Sequence, residues 1–147
     1  MAGLQFIEGP KLLIYGYETS GTALDWYAGD PVIVTSGRLV IATSGADVWA
    51  IAQANATGTA DTRCPIEIVL PGQVWSINVD AATTPLHTSH VGLRYNLTVA
   101  TGATVLNVAS GAADGWMVLD LDTRDVAAAG TRVLVTPFYS TCDAIGG

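Results

Sequence analysis

Positive charge is the scarcest feature of this sequence. Charged residues make up 13% of its 147 residues, and 13 acidic residues stand against one lysine, Lys11, and five arginines, which gives a formal net charge of −7. Binding nucleic acid requires a basic face that neutralises phosphates, so we expect no nucleic-acid partner. Protein interfaces favour arginine over lysine. The composition therefore fits an interface-forming protein, and it fits a merely biased composition equally well.

Long hydrophobic runs are also missing, although half of the residues are hydrophobic. The run from Val48 to Ala52 is far shorter than the roughly 20 residues of a transmembrane helix, so we expect no membrane span. The N-terminus has neither a basic start nor a convincing cleavage site, and we expect no signal peptide. Because the chain is so apolar and so poor in charge, we expect a partner to cover part of its surface.

Cysteine and histidine occur in numbers too small to predict a metal site. Cys64 and Cys142 lack zinc-ligand spacing, and without an export signal we expect two free, buried thiols unless the C-terminal segment packs beside Cys64. His87 and His90 lie in a predicted loop without a third ligand nearby. Glycine-rich phosphate loops and a nucleophile-elbow serine are absent. We therefore expect no metal, no cofactor and no catalytic site.

The sequence consists instead of short β-rich runs separated by turns. The runs 30–35 and 38–43 flank Ser36-Gly37, which predicts a hairpin. Pro71-Gly72, between 65–70 and 73–79, predicts a second hairpin. Further strands are predicted at 47–53 (which also fits a capped helix), 91–99, 104–108, 116–121 and 131–139. Short strands at this spacing, without a long amphipathic helix, predict a single-domain, all-β fold, an antiparallel sandwich or barrel.

The stretch GWMVLDLDTRD, residues 115–125, carries three carboxylates. In a regular strand the side chains fall on two faces, with Met117, Leu119 and Leu121 on one and Trp116, Val118, Asp120 and Asp122 on the other. A calcium loop of the EF-hand type starting at Asp120 fails, because Asp125 and Thr131 stand where it needs glycine and glutamate. A looser calcium site stays open, and the charged end of a strand is the simpler interpretation.

The first 28 residues fit the strand pattern poorly and are rich in large apolar side chains. We predict an extended N-terminal arm, 1–28, in front of an all-β domain, 29–147. The arm either completes the protein's own sheet or adds to a neighbouring subunit. In the second case, deleting residues 1–15 weakens association and leaves a folded domain. The candidate interface residues are Leu4, Phe6, Ile7, Leu12, Tyr15, Tyr17, Trp26 and Tyr27.

Residues 29–139 resemble the small capsid decoration, or cement, proteins of tailed bacteriophages. The resemblance lies in Ala28-Gly-Asp-Pro-Val-Ile-Val34, Val48-Trp-Ala-Ile-Ala52, Pro71-Gly-Gln-Val-Trp75, Val91-Gly-Leu-Arg-Tyr95, Val118-Leu-Asp-Leu-Asp122 and Thr131-Arg-Val-Leu-Val135. It implies a non-enzymatic structural virion protein, made in the host cytoplasm, that binds the outer capsid surface as a trimer or dimer. Such a protein bridges major capsid protein subunits and stabilises the head.

Two other classes of function are compatible with the fold. A glycan- or calcium-binding β-sandwich module of a surface or secreted protein would use Trp26, Tyr27 and the acidic turn at Asp120, Asp122 and Asp125. The other tryptophans, Trp49, Trp75 and Trp116, lie within apolar strand patterns and are expected in the core. A hydrolase built on His87 or His90 is the third class, and no motif supports it.

Overall fold

The computed structural model describes residues 3–19, 25–44, 48–80, 85, 87–111, 115–124 and 132–138. Within these residues the chain forms eleven strands and one helical turn. The strands are β1 (Gln5–Glu8), β2 (Leu13–Tyr17), β3 (Pro31–Thr35), β4 (Arg38–Ile41), β5 (Ala50–Ala52), β6 (Arg63–Ile68), β7 (Val74–Asn78), β8 (Arg94–Thr98), β9 (Val105–Gly111), β10 (Trp116–Leu121) and β11 (Arg132–Pro137), and the helical turn α1 is His87–His90. None of the described helical residues belongs to a helix long and apolar enough to cross a membrane.

The strands form two antiparallel sheets that pack together, so the prediction of an all-β antiparallel fold is confirmed. The six-stranded sheet has the order β1-β7-β11-β10-β8-β9, and the five-stranded sheet has the order β2-β6-β5-β3-β4. Both sheets curl. A parallel bridge between Val79 and Leu106 joins the end of β7 to β9, and another between Glu18 and Leu39 joins the end of β2 to β4. The sandwich is therefore made of two sheets that each approach barrel closure.

Alternation along the short strand β5 connects the two hydrophobic cores. Ala50 and Ala52 pack into the core enclosed by the five-stranded sheet, together with Trp26 and Leu39. Ile51 points the other way, into the larger core that belongs mainly to the six-stranded sheet. Because both faces of β5 are buried, its residues form a continuous apolar run, as the strand interpretation of 47–53 requires.

The larger core is built from alternating residues of the six-stranded sheet. Its main members are Trp75, Ile77, Tyr95, Leu97, Trp116, Val118, Val133 and Val135. Trp75 and Trp116 are thus core residues as predicted, whereas Trp49 is only partly buried against the smaller core. Burying each large side chain of this kind contributes about 1.5–3 kcal/mol, which makes this cluster the main source of stability.

The hairpin at Ser36-Gly37 is confirmed. β3 and β4 pair antiparallel with Thr35 opposite Arg38, and Ser36 and Gly37 have φ angles of 51° and 79°. Two consecutive positive φ angles define the type I′ turn, whose twist matches that of the flanking strands. A second antiparallel pair, β8 with β9, forms around the turn that follows residue 99.

The hairpin predicted at Pro71-Gly72 is wrong. The turn exists, but β6 belongs to the five-stranded sheet and β7 to the six-stranded sheet. The chain therefore passes from one sheet to the other at this turn. A Pro-Gly sequence predicts that the chain reverses its direction, but it does not predict which strands the flanking residues pair with.

The buried side chain of Gln73 holds this corner in place. Its carboxamide oxygen accepts hydrogen bonds from the Leu70 N–H at 2.8 Å and from Trp75 Nε1 at 3.1 Å. Its Nε2 donates to the carbonyl oxygens of Ile68 at 2.8 Å and Pro10 at 2.9 Å. All hydrogen-bonding groups of a fully buried amide are thus satisfied, which offsets the cost of burying it.

A β-bulge in β10 overturns the predicted division of its faces. Val118 pairs with Val135 and Asp120 pairs with Leu134, so Leu119 is an extra residue in the strand. Val118 is fully buried, whereas Asp120 is exposed, and the two do not share a face. A bulge shifts the alternation by one residue, which a strict period of two cannot anticipate.

The described part of the predicted N-terminal arm is built into the domain. β1 pairs with β7 in the six-stranded sheet, and β2 pairs with β6 in the five-stranded sheet. Leu4 is buried in the larger core, and its N–H donates to the Gly29 carbonyl oxygen at 2.8 Å. For these strands the first alternative applies, namely that the segment completes the protein's own sheets.

The buried carboxylate of Asp30 connects the two sheets. It lies just before β3 and accepts hydrogen bonds from the Gly102 N–H at 2.8 Å and from Thr104 Oγ1 at 2.8 Å, both in the turn between β8 and β9. It also accepts one from the Tyr27 N–H at 3.0 Å. Because charge-assisted hydrogen bonds are the stronger ones, this contact fixes how one sheet sits on the other.

Candidate binding surface

Four large apolar side chains of β2 and the residue before it lie half exposed. Leu12, Leu13, Tyr15 and Tyr17 are 47%, 50%, 52% and 47% exposed. Leu13, Tyr15 and Tyr17 alternate along the strand, so they point to one side of the sheet. We call these four residues the β2 strip. A group of exposed large apolar side chains of this kind marks an interaction site more often than isolated exposed residues do.

Two of the six basic residues flank the β2 strip. The Arg63 guanidinium carbon lies 4.2 Å from the centroid of the Tyr15 ring, and Lys11 Nζ lies 5.1 Å from that of Phe6. Both cations are exposed, and neither forms an ion pair within 4.0 Å with a carboxylate of the described residues. The strip is therefore an apolar surface that carries two positive charges in an otherwise acidic protein.

A buried carboxyl group lies beside Leu13, on the same face of the sheet. Glu67 of β6 stands opposite Leu13 and, on its other side, opposite Ile51, which the larger core covers. Its Oε1 accepts a hydrogen bond from the Leu12 N–H at 3.2 Å, and Oε2 has no partner. Burial raises the pKa of Glu67, while the Leu12 hydrogen bond and the charge of Lys11 lower it to a smaller extent. The site thus favours the neutral acid.

A second exposed surface lies at the bulge of the six-stranded sheet. Leu119, the bulged residue, is 40% exposed, and the exposed Asp120 follows it. Leu93, which is 52% exposed, is joined to this place because its carbonyl oxygen accepts a hydrogen bond from the Val118 N–H at 2.9 Å. We call Leu93, Leu119 and Asp120 the acidic bulge. The Asp120 carboxylate accepts the Leu121 N–H and forms no ion pair with a described residue.

Asp122, two residues further on, is buried and fully engaged. Its carboxylate accepts hydrogen bonds from Ser76 Oγ at 2.5 Å and from the Nη2 and Nε of Arg124 at 2.7 Å and 2.9 Å. Arg132 Nε donates to Ser76 Oγ at 2.8 Å and so extends the network. The Arg124 hydrogen bonds are the main reason that the pKa of Asp122 lies well below its usual range. This carboxylate therefore stabilises the fold as an anion.

These positions argue against the glycan- and calcium-binding alternative in the form that the sequence suggested. Trp26 is fully buried, and the ring of Tyr27 packs against Gly102, so the two do not form an open aromatic platform. Asp122 is occupied by arginine and serine, and Asp125 lies outside the described residues. Among the residues that the structure describes, no group of three or more His, Cys, Asp or Glu side chains is placed to hold a metal.

The remaining candidate residues are the two histidines and the two cysteines. His87 and His90 form the helical turn α1, and the His90 ring lies 6.1 Å from that of Tyr95. Cys64 is a free, buried thiol, as predicted, and burial is the largest cause that raises its pKa. A thiol of raised pKa is a poor nucleophile and a poor metal ligand. Cys142 lies outside the described residues.

The candidate interface residues predicted from the sequence fall into three groups. Three of them are exposed in the β2 strip, namely Leu12, Tyr15 and Tyr17. Three are partly buried, namely Phe6, Ile7 and Tyr27. Leu4 and Trp26 are buried in the two cores. A side chain that fills the core of its own chain offers no surface to a partner, so Leu4 and Trp26 are removed from the candidate interface.

Sequence reasoning missed several residues of these surfaces. Leu13 belongs to the β2 strip, and the alternation of Leu13, Tyr15 and Tyr17 was a signal that could have identified it. Arg63 comes from a distant part of the chain and reaches the strip only because β6 pairs with β2. Leu119 lies on the face opposite the buried Val118, as alternation indicates, but its place in a bulge has no signature in this sequence.

Comparisons with protein-family models, with curated proteins and with solved structures found no match for this chain.

Proposed function

We propose that this protein is a non-enzymatic structural protein of a phage virion, which binds the outer surface of an icosahedral capsid, bridges major capsid protein subunits and stabilises the head. The single observation that carries the proposal is the β2 strip. A domain that leaves four large apolar side chains about half exposed on one strand gains free energy when another protein covers them.

The chemistry of the strip supports a protein partner. Its exposed tyrosines and its arginine belong to the residue types that are enriched at protein interfaces. The Arg63 cation is already stacked on Tyr15, so less side-chain freedom is lost when a partner binds. The family resemblance supplies the identity of that partner, the major capsid protein, and the location on the outside of the particle.

A sedimentation experiment tests the proposal. The full-length protein is mixed with heads formed by the major capsid protein of the same phage, and the heads are pelleted. We expect saturable binding at a fixed ratio to the capsid subunits, and a higher temperature for release of DNA from decorated heads. The variant Tyr15→Ser/Tyr17→Ser is expected to bind at least about tenfold more weakly, because it removes the exposed rings at the centre of the strip.

Val34→Ser is the matched control, because Val34 is 45% exposed on β3 and lies outside the strip. This variant is expected to bind heads like the unmodified protein. Absence of binding by the unmodified protein at micromolar concentrations would contradict the proposal. Equal losses for the tyrosine variant and the control would contradict the role of the strip.

A further inference from the structure

The two exposed surfaces of this chain are complementary in charge. The β2 strip combines apolar side chains with the cations of Lys11 and Arg63, whereas the acidic bulge combines Leu93 and Leu119 with the Asp120 carboxylate. Like the two cations, this carboxylate forms no ion pair with a described residue. The two surfaces therefore carry charges of opposite sign. Contact between them buries leucine and tyrosine side chains and neutralises the charges.

The two surfaces lie on different sheets, which determines the kind of association that they support. The strip belongs to β2 of the five-stranded sheet, and the bulge belongs to β10 of the six-stranded sheet. When different surfaces of identical subunits meet, the association is head-to-tail, and it closes into a ring or continues as a filament.

We infer that the β2 strip of one copy docks onto the acidic bulge of the next copy, with Arg63 facing Asp120. This inference shares with the proposed function the idea that a protein covers the strip, and it concerns copies of this chain in the absence of capsid. On the head, the capsid replaces the neighbouring copy at the strip, so the two contacts compete. The charges set the direction and register of the contact, and the tyrosine and leucine side chains supply its buried apolar area.

Analytical ultracentrifugation of the full-length protein over a range of concentrations tests the inference. We expect reversible self-association that weakens as salt is raised, because salt screens exposed charges. Arg63→Glu and Asp120→Arg are each expected to raise the dissociation constant about tenfold or more, since each places like charges opposite one another. The double variant restores opposite charges in reverse order and is expected to return within about threefold of the unmodified protein.

Arg38→Glu is the matched control for charge reversal. Arg38 is exposed and paired with Asp61 at 2.7 Å, outside both surfaces, so its reversal is expected to leave self-association unchanged. Circular dichroism on every variant verifies that the fold is retained. A monomer at all concentrations overturns the inference. A double variant that associates no more tightly than the single variants also overturns the inference. An association that only Arg63→Glu weakens overturns it as well and indicates a strip-to-strip dimer.

The self-association experiment and the capsid-binding experiment can fail independently of each other. A protein that stays monomeric in solution but pellets with heads overturns only the head-to-tail contact. A protein that self-associates with the expected pattern of variants but does not bind heads overturns only the capsid proposal.

Discussion

Buried acidic residues of this protein differ in whether their surroundings favour the charged form. The carboxylate of Asp122 is paired with Arg124. Glu67 is different, because one of its oxygens has no partner. A group whose pKa is raised by folding contributes stability at low pH and loses it as pH rises through the folded-state pKa, whereas the lowered pKa of Asp122 has the opposite effect.

We therefore expect Glu67→Gln to increase the free energy of unfolding at pH 7 by about 1 kcal/mol, since the amide remains neutral and retains an acceptor for the Leu12 N–H. The gain is expected to shrink towards pH 4, because the unfolded-state glutamate is then mostly protonated and the raised pKa keeps the folded-state glutamate protonated as well. Urea unfolding between pH 4 and pH 8 measures it. Glu8→Gln, on the exposed end of β1, is the control and is expected to have no such effect. A gain for Glu67→Gln that is independent of pH would refute the explanation.

At the scale of a strand, the two faces of β2 differ: one carries large side chains, and the other has no room for a side chain at Gly16. The outer face carries the strip, and the inner face has to pass close to β4. A Cβ atom built on Gly16 would lie 2.6 Å from Leu39 Cδ1 and Cγ, so the absence of a side chain allows the end strands of the five-stranded sheet to meet. The parallel bridge between Glu18 and Leu39 depends on this close approach.

Gly16→Ala is accordingly expected to destabilise the protein by about 2 kcal/mol, because a buried methyl group collides with Leu39. Leu39→Ala alone is expected to cost about 2–5 kcal/mol through the cavity that it leaves. The double variant is expected to cost clearly less than the sum, since the smaller residue 39 makes room for the methyl group. Chemical denaturation of the four proteins measures this coupling. The pair Tyr17→Ala and Leu39→Ala serves as the additive control, because the Tyr17 side chain and Leu39 of β4 lie on opposite sides of β2. Additivity for Gly16 and Leu39 would contradict the steric explanation.

At the scale of the whole molecule, the N-terminal segment contributes a strand to each of the two sheets. β1 and β2 extend different sheets, and Leu4 lies in the larger core. The Asp30 carboxylate and the Pro71-Gly72 crossing then hold the two sheets together. The described part of segment 1–28 therefore has two roles. Its inward side chains complete the cores, and its outward side chains form the β2 strip.

This architecture reverses the outcome expected from the sequence for a deletion of residues 1–15. We expect the truncated protein to be unfolded or far less stable, because it lacks β1, Leu4 and the first three residues of β2. Circular dichroism and thermal melting provide the measurement. Full-length Tyr15→Ser is the control, and it is expected to stay folded because Tyr15 is exposed. Cooperative unfolding of the truncated protein at a similar midpoint would show that the arm is dispensable for the fold.

The sequence by itself determined the features that depend on neighbouring residues. Alternation and turn residues were sufficient for the all-β class, for the hairpin at Ser36-Gly37 and for the burial of Trp75 and Trp116, because these follow from side-chain period and local backbone preference. Three of the four residues of the β2 strip were also recognised, although their exposure was not.

Only the tertiary structure decided the features that depend on which distant segments meet. The sheet to which β6 and β7 belong, the bulge at Leu119 and the burial of Leu4 and Trp26 are set by long-range pairing and by closure of the sheets. The same pairing brings Arg63 to Tyr15 and places Glu67 beside Leu13. A period of two residues specifies that a strand has two faces, and the packing of the sheets then determines which face meets the core and which remains open to a partner.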